Sequence, residues 1–188
     1  MKKRMYLMRH GETLFNVRRK IQGACDSPLT LKGIEQARAA REVFAVRGIT
    51  FDAAYASTAE RCADTLEQIT ELPYTRLKGL KEMNFGLFEG ESEDLNPPDK
   101  STFFLQYGGE SREQVKIRMK ETCTALMQQS GHTSVLVVSH AGACLHFMTN
   151  WQDATEELRK GFSNCCIFEY EFDTESAEFT LLHSYRPV

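Results

Sequence analysis

Hydrophobic and polar positions along the chain fall into two rhythms. Between residues 30 and 47, Leu31, Ile34, Ala37, Ala40, Val43 and Phe44 recur three or four apart, which predicts an amphipathic helix. Thr30 supplies an N-cap and Gly48 a stop. Residues 58–70 predict a second helix and 111–130 a third, with Val115, Met119, Thr122, Cys123 and Leu126 turned inward. Short apolar runs at 5–8, 51–56 and 134–139 read as strands. Val135, Leu136, Val137 and Val138 are continuously apolar, as a strand buried on both faces requires. Strand-like alternation returns at 167–172 and 179–183. Helical and strand patterns that alternate in this way predict a layered α/β domain with helices packed on a sheet. No repeat, low-complexity tract or linker interrupts it, so residues 1–188 read as one domain.

Composition narrows the function classes. At 188 residues, 41% apolar and 26% charged, the chain resembles an ordinary globular protein with a substantial core. A net charge of −3 leaves no basic footprint, so neither nucleic acid nor an anionic membrane is expected as a partner. The apolar runs are too short to span a bilayer, and the N-terminal one is shorter than a signal-peptide core, which predicts a cytoplasmic protein. Cys165 and Cys166 are adjacent and no Cys-x-x-Cys pair occurs, so the thiols are expected to be reduced. No Cys or His pair has zinc-ligand spacing, and no metal or other cofactor is expected.

Two predicted strands end in a histidine. The first delivers Arg9-His10-Gly11; the strand at 134–139 delivers His140-Ala141-Gly142. Ligands of open α/β sheets bind outside the carboxyl ends of the strands. A guanidinium presents a fork of donors to phosphate oxygens, and a neutral imidazole is a competent nucleophile near pH 7. Gly11 permits close backbone approach. Alone, Arg-His-Gly reads better as a strand end exposed to solvent.

The order of further blocks is more telling. Asn16, Gln22-Gly23, Asp26-Ser27-Pro28-Leu29-Thr30 and Gly33 follow; then come Ser57-Thr58-Ala59-Glu60-Arg61 with Thr65. Leu80-Lys81-Glu82, Phe85-Gly86, Glu89-Gly90, Gly108-Gly109-Glu110-Ser111 and Val138-Ser139-His140-Ala141-Gly142 complete the series, with Asn164 beyond it. Together these resemble the histidine phosphatase superfamily, or phosphoglycerate mutase-like family. The resemblance implies a three-layer α/β/α domain around a mixed, mainly parallel sheet. It also implies that His10 becomes phosphohistidine, that Arg9 and Arg61 hold the phosphoryl group, and that His140 donates to a phosphoryl oxygen. Asn16 matches a further phosphate donor, Gln22 and Gly23 a stretch lining the substrate pocket, and Glu82 the proton donor to the leaving oxygen. One departure is Ala141, where many members have glycine; there a methyl group is expected to alter packing rather than chemistry.

The implied activity is hydrolysis of a small-molecule phosphomonoester without a metal. Phosphoglycerate mutase activity and a non-catalytic phosphate- or phosphoprotein-binding module are the alternatives. Only residues 91–107 separate the acidic block from Gly108, where glycolytic mutases of the family carry a longer insertion, and this favours the phosphatase. The retained His10, Arg9, Arg61 and His140 speak against the binding module. Oligomeric state is left open.

Blander roles exist for several residues. Glu82 lies near Glu89, Glu91, Glu93 and Asp94, which would suit a solvated acidic loop, and Arg61 would suit a helix surface paired with Glu60 or Asp64. His132, His146 and His183 read as structural; His146 is off the helical face of His140. The cysteines read as small core residues, with Cys25 and Cys62 expected to be acidified by nearby arginines. Phe85, Phe88, Phe103, Phe104 and Tyr107 read mainly as core.

Overall fold

The computed structural model describes residues 1–187. In chain order the elements are β1 (Lys2–Arg9), α1 (Leu14–Val17), α2 (Leu31–Val46), β2 (Ala53–Ser57), α3 (Glu60–Glu67), β3 (Tyr74–Leu77), α4 (Arg112–Gln128), β4 (Ser134–Ser139), α5 (Ala141–Met148), α6 (Thr155–Lys160), β5 (Ile167–Asp173) and β6 (Glu178–Tyr185). Short 3₁₀ turns at Lys78–Leu80, Gly86–Phe88, Glu93–Leu95 and Phe103–Tyr107 fill the connection from β3 to α4.

The strands form one six-stranded sheet in the order β3-β2-β4-β1-β5-β6. β1, β4, β2 and β3 pair in parallel, and β5 runs antiparallel to β1 and β6. This is the mixed, mainly parallel sheet expected. Successive side chains of a strand point to opposite faces, and here both faces are covered. Met5, Leu7, Val135 and Val137 pack with Val115 and Met119 of α4 and with Cys144 and Phe147 of α5. Tyr6, Met8, Leu136 and Val138 pack with Ala37, Ala40 and Phe44 of α2 and with Cys62 and Leu66 of α3. Two cores, one per face, account for the uninterrupted apolar run in β4.

Local signals set the helix ends. Thr30 accepts the Gly33 amide at 3.0 Å, Gly48 closes α2 with φ of +66°, and Ser111 forms a reciprocal capping box with Gln114. The predicted helix at 58–70 is confined to Glu60–Glu67. β3, α1 and α6, which the pattern does not predict, are short and contribute little apolar periodicity.

Candidate active site

β1 and β4 lie side by side with Arg9 opposite Ser139, so the residues that follow, His10 and His140, leave the sheet together. Their rings stand edge to face with centroids 5.3 Å apart. The His10 ring is only 5% exposed. Its Nδ1 lies 2.7 Å from the Gly11 carbonyl. A carbonyl only accepts, so the ring proton sits on Nδ1 and Nε2 keeps its lone pair. Burial, reinforced by the charges of Arg61 and Arg9, holds the imidazole well below its ordinary pKa, and His10 is neutral. Gly11 lets the loop cross α2: a Cβ there would sit 2.5 Å from the Gly33 carbonyl oxygen. The Gly11 amide donates to Thr65 Oγ1 at 3.0 Å, and that hydroxyl donates to the Arg61 carbonyl at 2.6 Å. Thr65 therefore ties the β1 loop to α3.

Arg61 is no surface residue; it is fully buried. Its Nη1 donates to the Cys25 carbonyl at 3.0 Å and to Asp26 Oδ1 at 2.8 Å. Its Nη2 donates to the Gly23 carbonyl and to His140 Nδ1, both at 3.0 Å. A guanidinium cannot accept, so the His140 proton is on Nε2 and is donated to Ser57 Oγ at 2.8 Å. Burial first, then Arg61 and His10, push His140 well below the usual histidine range. Arg9 donates through Nη1 to the Phe162 carbonyl at 2.6 Å. The Nε of Arg9, the Nε of Arg61 and the Nε2 of Gln22 are buried with no hydrogen-bond partner among the described residues. Gln22 is oriented by Thr13 and Ser27, whose hydroxyls both donate to its Oε1 at 3.0 Å. Asn16 Oδ1 accepts from the Thr13 amide and from Asn164 Nδ2, both at 3.2 Å.

Glu82 sits across from these donors, 9% exposed. Its carboxylate accepts the Met83 amide at 2.8 Å and the Gly142 amide at 2.9 Å. A Cβ at position 142 would meet Glu82 Oε1 at 2.7 Å, so a side chain at the second residue after His140 would displace the carboxylate. Arg118 of α4 holds the Glu82 segment from behind. Its Nη1 donates to the Lys81 carbonyl at 2.7 Å and its Nη2 to the Glu82 carbonyl at 2.9 Å. Glu110 anchors Arg118 through a 2.8 Å contact to Nε and also accepts the Asn84 amide at 2.9 Å.

The solvated-loop reading holds for Glu91, Glu93 and Asp94, which are exposed, but not for Glu89. Its carboxylate accepts the amides of Gly23, Ala24, Cys25 and Phe85 at 2.8–3.0 Å. Burial would raise this carboxyl; the hydrogen bonds from Cys25, Phe85 and Ala24 outweigh it and hold the group below the ordinary carboxylate range. Glu89 thereby shapes the turn whose carbonyls fix Arg61, a role the acidic composition of the segment conceals.

Arg9, His10, Asn16, Gln22 and Glu82 line a cavity of about 840 Å³; Gly23, Arg61 and His140 stand behind its wall. The expected acidification of two cysteines is wrong. Burial, then Glu89, pushes Cys25 up to about 11, and burial pushes Cys62 up to about 12, overriding the arginine beside them. His132 is structural, with Nδ1 2.8 Å from the Leu126 carbonyl. His146 lies on the cavity wall, unlike the purely structural role expected. Phe88, Phe103, Phe104 and Tyr107 pack on one another, while Phe85 also reaches the cavity. Among the described residues no three His, Cys, Asp or Glu side chains converge as metal ligands.

A mixed sheet carries paired histidines at the carboxyl ends of its two central parallel strands, flanked by the buried Arg61 and the half-buried Arg9. Residues 5–184 match the model of the histidine phosphatase superfamily (branch 1), and the chain belongs to that superfamily. Among curated relatives it is 29% identical over 181 residues to the probable phosphoglycerate mutase GpmB of Salmonella paratyphi B, covering 89% of this chain and 84% of that protein. Among solved structures, YhfR of Bacillus stearothermophilus aligns over 95% of this chain and 94% of its own at 25% identity with a TM-score of 0.82. A phosphoserine phosphatase of Entamoeba histolytica in complex with 3-phosphoglyceric acid aligns over 97% of this chain and 96% of its own at 25% identity, TM-score 0.79. No helix among the described residues is long and apolar enough to cross a membrane.

Proposed function

We infer that the protein is a phosphomonoester hydrolase that works through a phosphohistidine on His10, without a metal ion. The observation that carries this reading is the pairing of a neutral imidazole, whose Nε2 lone pair is free, with the buried, unpartnered donors of Arg9, Arg61 and Gln22. Such a donor set suits an oxyanion and little else. Nε2 attacks phosphorus in line as the P–O bond to the leaving alcohol breaks, and Glu82 delivers a proton to that oxygen. Arg9 and Arg61 balance charge on the equatorial oxygens, and a phosphoryl oxygen competes with Ser57 for the Nε2–H of His140. Water then attacks the phosphohistidine, Glu82 takes its proton, and phosphate leaves with His10 neutral again.

The mutase reading has support in the GpmB relatives. Against it stands the short connection between Gly90 and Gly108, which leaves the cavity mouth open to water. One experiment separates the two. Brief incubation with a ³²P-labelled phosphomonoester in EDTA, followed by alkaline quench, should trap acid-labile label that is absent in His10→Ala. Chased with water and an excess of phosphoglycerate, the label should appear mainly as inorganic phosphate. Transfer mainly to the phosphoglycerate would establish a mutase; absence of label, or its loss in EDTA, would refute the phosphohistidine mechanism.

A further inference from the structure

The two guanidiniums of the site are held in different ways. Arg61 has four acceptors of its own, in the Cys25 and Gly23 carbonyls, Asp26 and His140. Arg9 has one among the described residues, the Phe162 carbonyl, which takes Nη1 at 2.6 Å and leaves Nε buried without a partner. Nε–H and the Nη2–H beside it point the same way, so this anchoring leaves one edge of the planar fork for two phosphoryl oxygens. Where that edge aims depends on where residue 162 puts its carbonyl. Phe162 lies between α6 and β5 and follows Gly161, whose φ is +81°. Nothing lies within 4 Å of a Cβ built there, so packing at Gly161 does not fix the peptide that follows it.

Arg186, just after β6, supplies that constraint although it does not line the cavity. Its Nε donates to the Gly161 carbonyl at 2.9 Å and its Nη2 to Glu157 Oε2 at 2.8 Å. One planar group thus ties α6 to the peptide that joins Gly161 to Phe162. The Arg186 guanidinium carbon lies 5.4 Å over the Phe168 ring, and the Phe162 ring packs on the same Phe168 with centroids 4.9 Å apart. Glu157 is buried and also accepts from Lys160 Nζ at 2.8 Å. Burial would raise its carboxyl; the hydrogen bonds from Lys160 and Arg186 outweigh it and hold the group below the ordinary range. The anchor for Arg186 is therefore an ionised carboxylate.

We propose that Arg186 is a positioning residue for Arg9: through the Gly161–Phe162 peptide it sets the aim of the Arg9 fork, and with it the affinity of the site for a phosphoryl group. Arg186 itself touches no substrate. The inference rests on the hydrolase reading, in which Arg9 holds the phosphoryl oxygens. A lysine at 186 could keep the charge beside Glu157 but not hold two acceptors in one plane.

The test is calorimetric binding of orthovanadate and inorganic phosphate to wild type, Arg186→Leu, Arg9→Lys and the double variant, with kcat/KM for p-nitrophenyl phosphate as a parallel readout. Arg186→Leu keeps an apolar stem against Phe168 and removes both donors. It should weaken anion binding by about 10-fold, the low end of what one charge-assisted hydrogen bond contributes. In the Arg9→Lys background, where there is no fork to aim, the same change should weaken binding by less than about 2-fold. A residue that only supports the fold would weaken binding equally in both backgrounds. That outcome, or an unchanged affinity in Arg186→Leu, overturns the positioning role and spares the hydrolase. If the leucine variant does not fold, Arg186→Lys carries the same comparison, since it keeps a cation for Glu157. Wild-type protein that neither binds these anions nor hydrolyses any phosphomonoester overturns the hydrolase reading itself.

Discussion

The two ends of the cavity are built on opposite plans. At the deep end each side chain is pinned by groups that are themselves fixed: His10 by the Gly11 carbonyl, His140 by Arg61 and Ser57, Glu82 by two backbone amides. At the mouth, Lys100 and Lys116 are half-exposed on flexible stems, and among the described residues no ion-pair partner sets their geometry. The deep end is preorganised, which is where electrostatic catalysis gains most, because nothing has to reorient as charge develops. The mouth can adapt to different substrates at small cost. One fold can in this way keep a reaction and vary its specificity.

A perturbation at the deep end should therefore depend on the leaving group, whereas one at the mouth should depend on the far end of the substrate. The largest effect short of removing the nucleophile is expected at Glu82. Glu82→Gln should slow phosphorylation of His10 by alkyl phosphates by about 10²- to 10⁴-fold. p-Nitrophenolate leaves without needing a proton, so its phosphate ester should be affected much less. Rapid-quench measurement of phosphohistidine formation is the readout, since the later attack of water also uses this carboxylate. Equal losses with both esters would make Glu82 a structural support only.

Much of the deep end was legible in the sequence because its residues sit where chain patterns are strongest. The run from Val135 to Val138 placed β4 at its observed bounds, and the histidine at each strand end followed from that. What escaped reading depends on long-range geometry. Glu89 reads in sequence as one acid among several; its role arises from amides 64 to 66 residues earlier in the chain, a pairing no local pattern reveals. Cys25 and Cys62 were misjudged because proximity to arginine is visible in sequence while burial is not, and burial dominates their ionisation. In sequence His146 lies off the face of His140, yet in the fold it lines the cavity. β3 is a four-residue, half-exposed edge strand, too short for a period to emerge.

A smaller loss is expected where support for Glu82 is removed while the carboxylate itself remains. Arg118→Gln deletes donors to the Lys81 and Glu82 carbonyls, and Gly142→Ala drives a methyl against Glu82 Oε1. Both should reduce kcat for alkyl phosphates by about 10- to 100-fold, as misplacement of a catalytic group does. Both should again spare p-nitrophenyl phosphate relative to the alkyl esters. Ala141→Gly, one residue away, should leave that leaving-group ratio unchanged. A uniform loss with both esters in Arg118→Gln would mean that α4 supports the fold and not the acid.

The smallest expected effect is thermodynamic and bears mainly on the deep end. His10 and His140 are neutral in the folded chain because burial, with Arg61 and its neighbours, depresses their pKa values. In the unfolded chain both return to the ordinary value of about 6.5. Below that pH the unfolded state binds protons that the folded state refuses, so stability must fall as pH falls. Each histidine should remove about 1.4 kcal/mol between the plateau and pH 5.5, provided its folded form is still neutral there. For a chain of this length that corresponds to a decrease in Tm of about 3–5 °C per histidine. The depressed carboxyls of Glu89 and Glu110 do not interfere, because their contribution is lost only as pH falls through folded values below the ordinary carboxylate range. His146, lowered to about 4, adds to the slope from the mouth, so His146→Gln provides the baseline. Calorimetry of that variant from pH 7.5 to 5.5 should show a falling Tm, and His140→Asn in the same background should remove about half of the remaining fall. A Tm that stays level across this range would mean that His10 and His140 take up protons in the folded protein, and the neutral nucleophile would have to be given up.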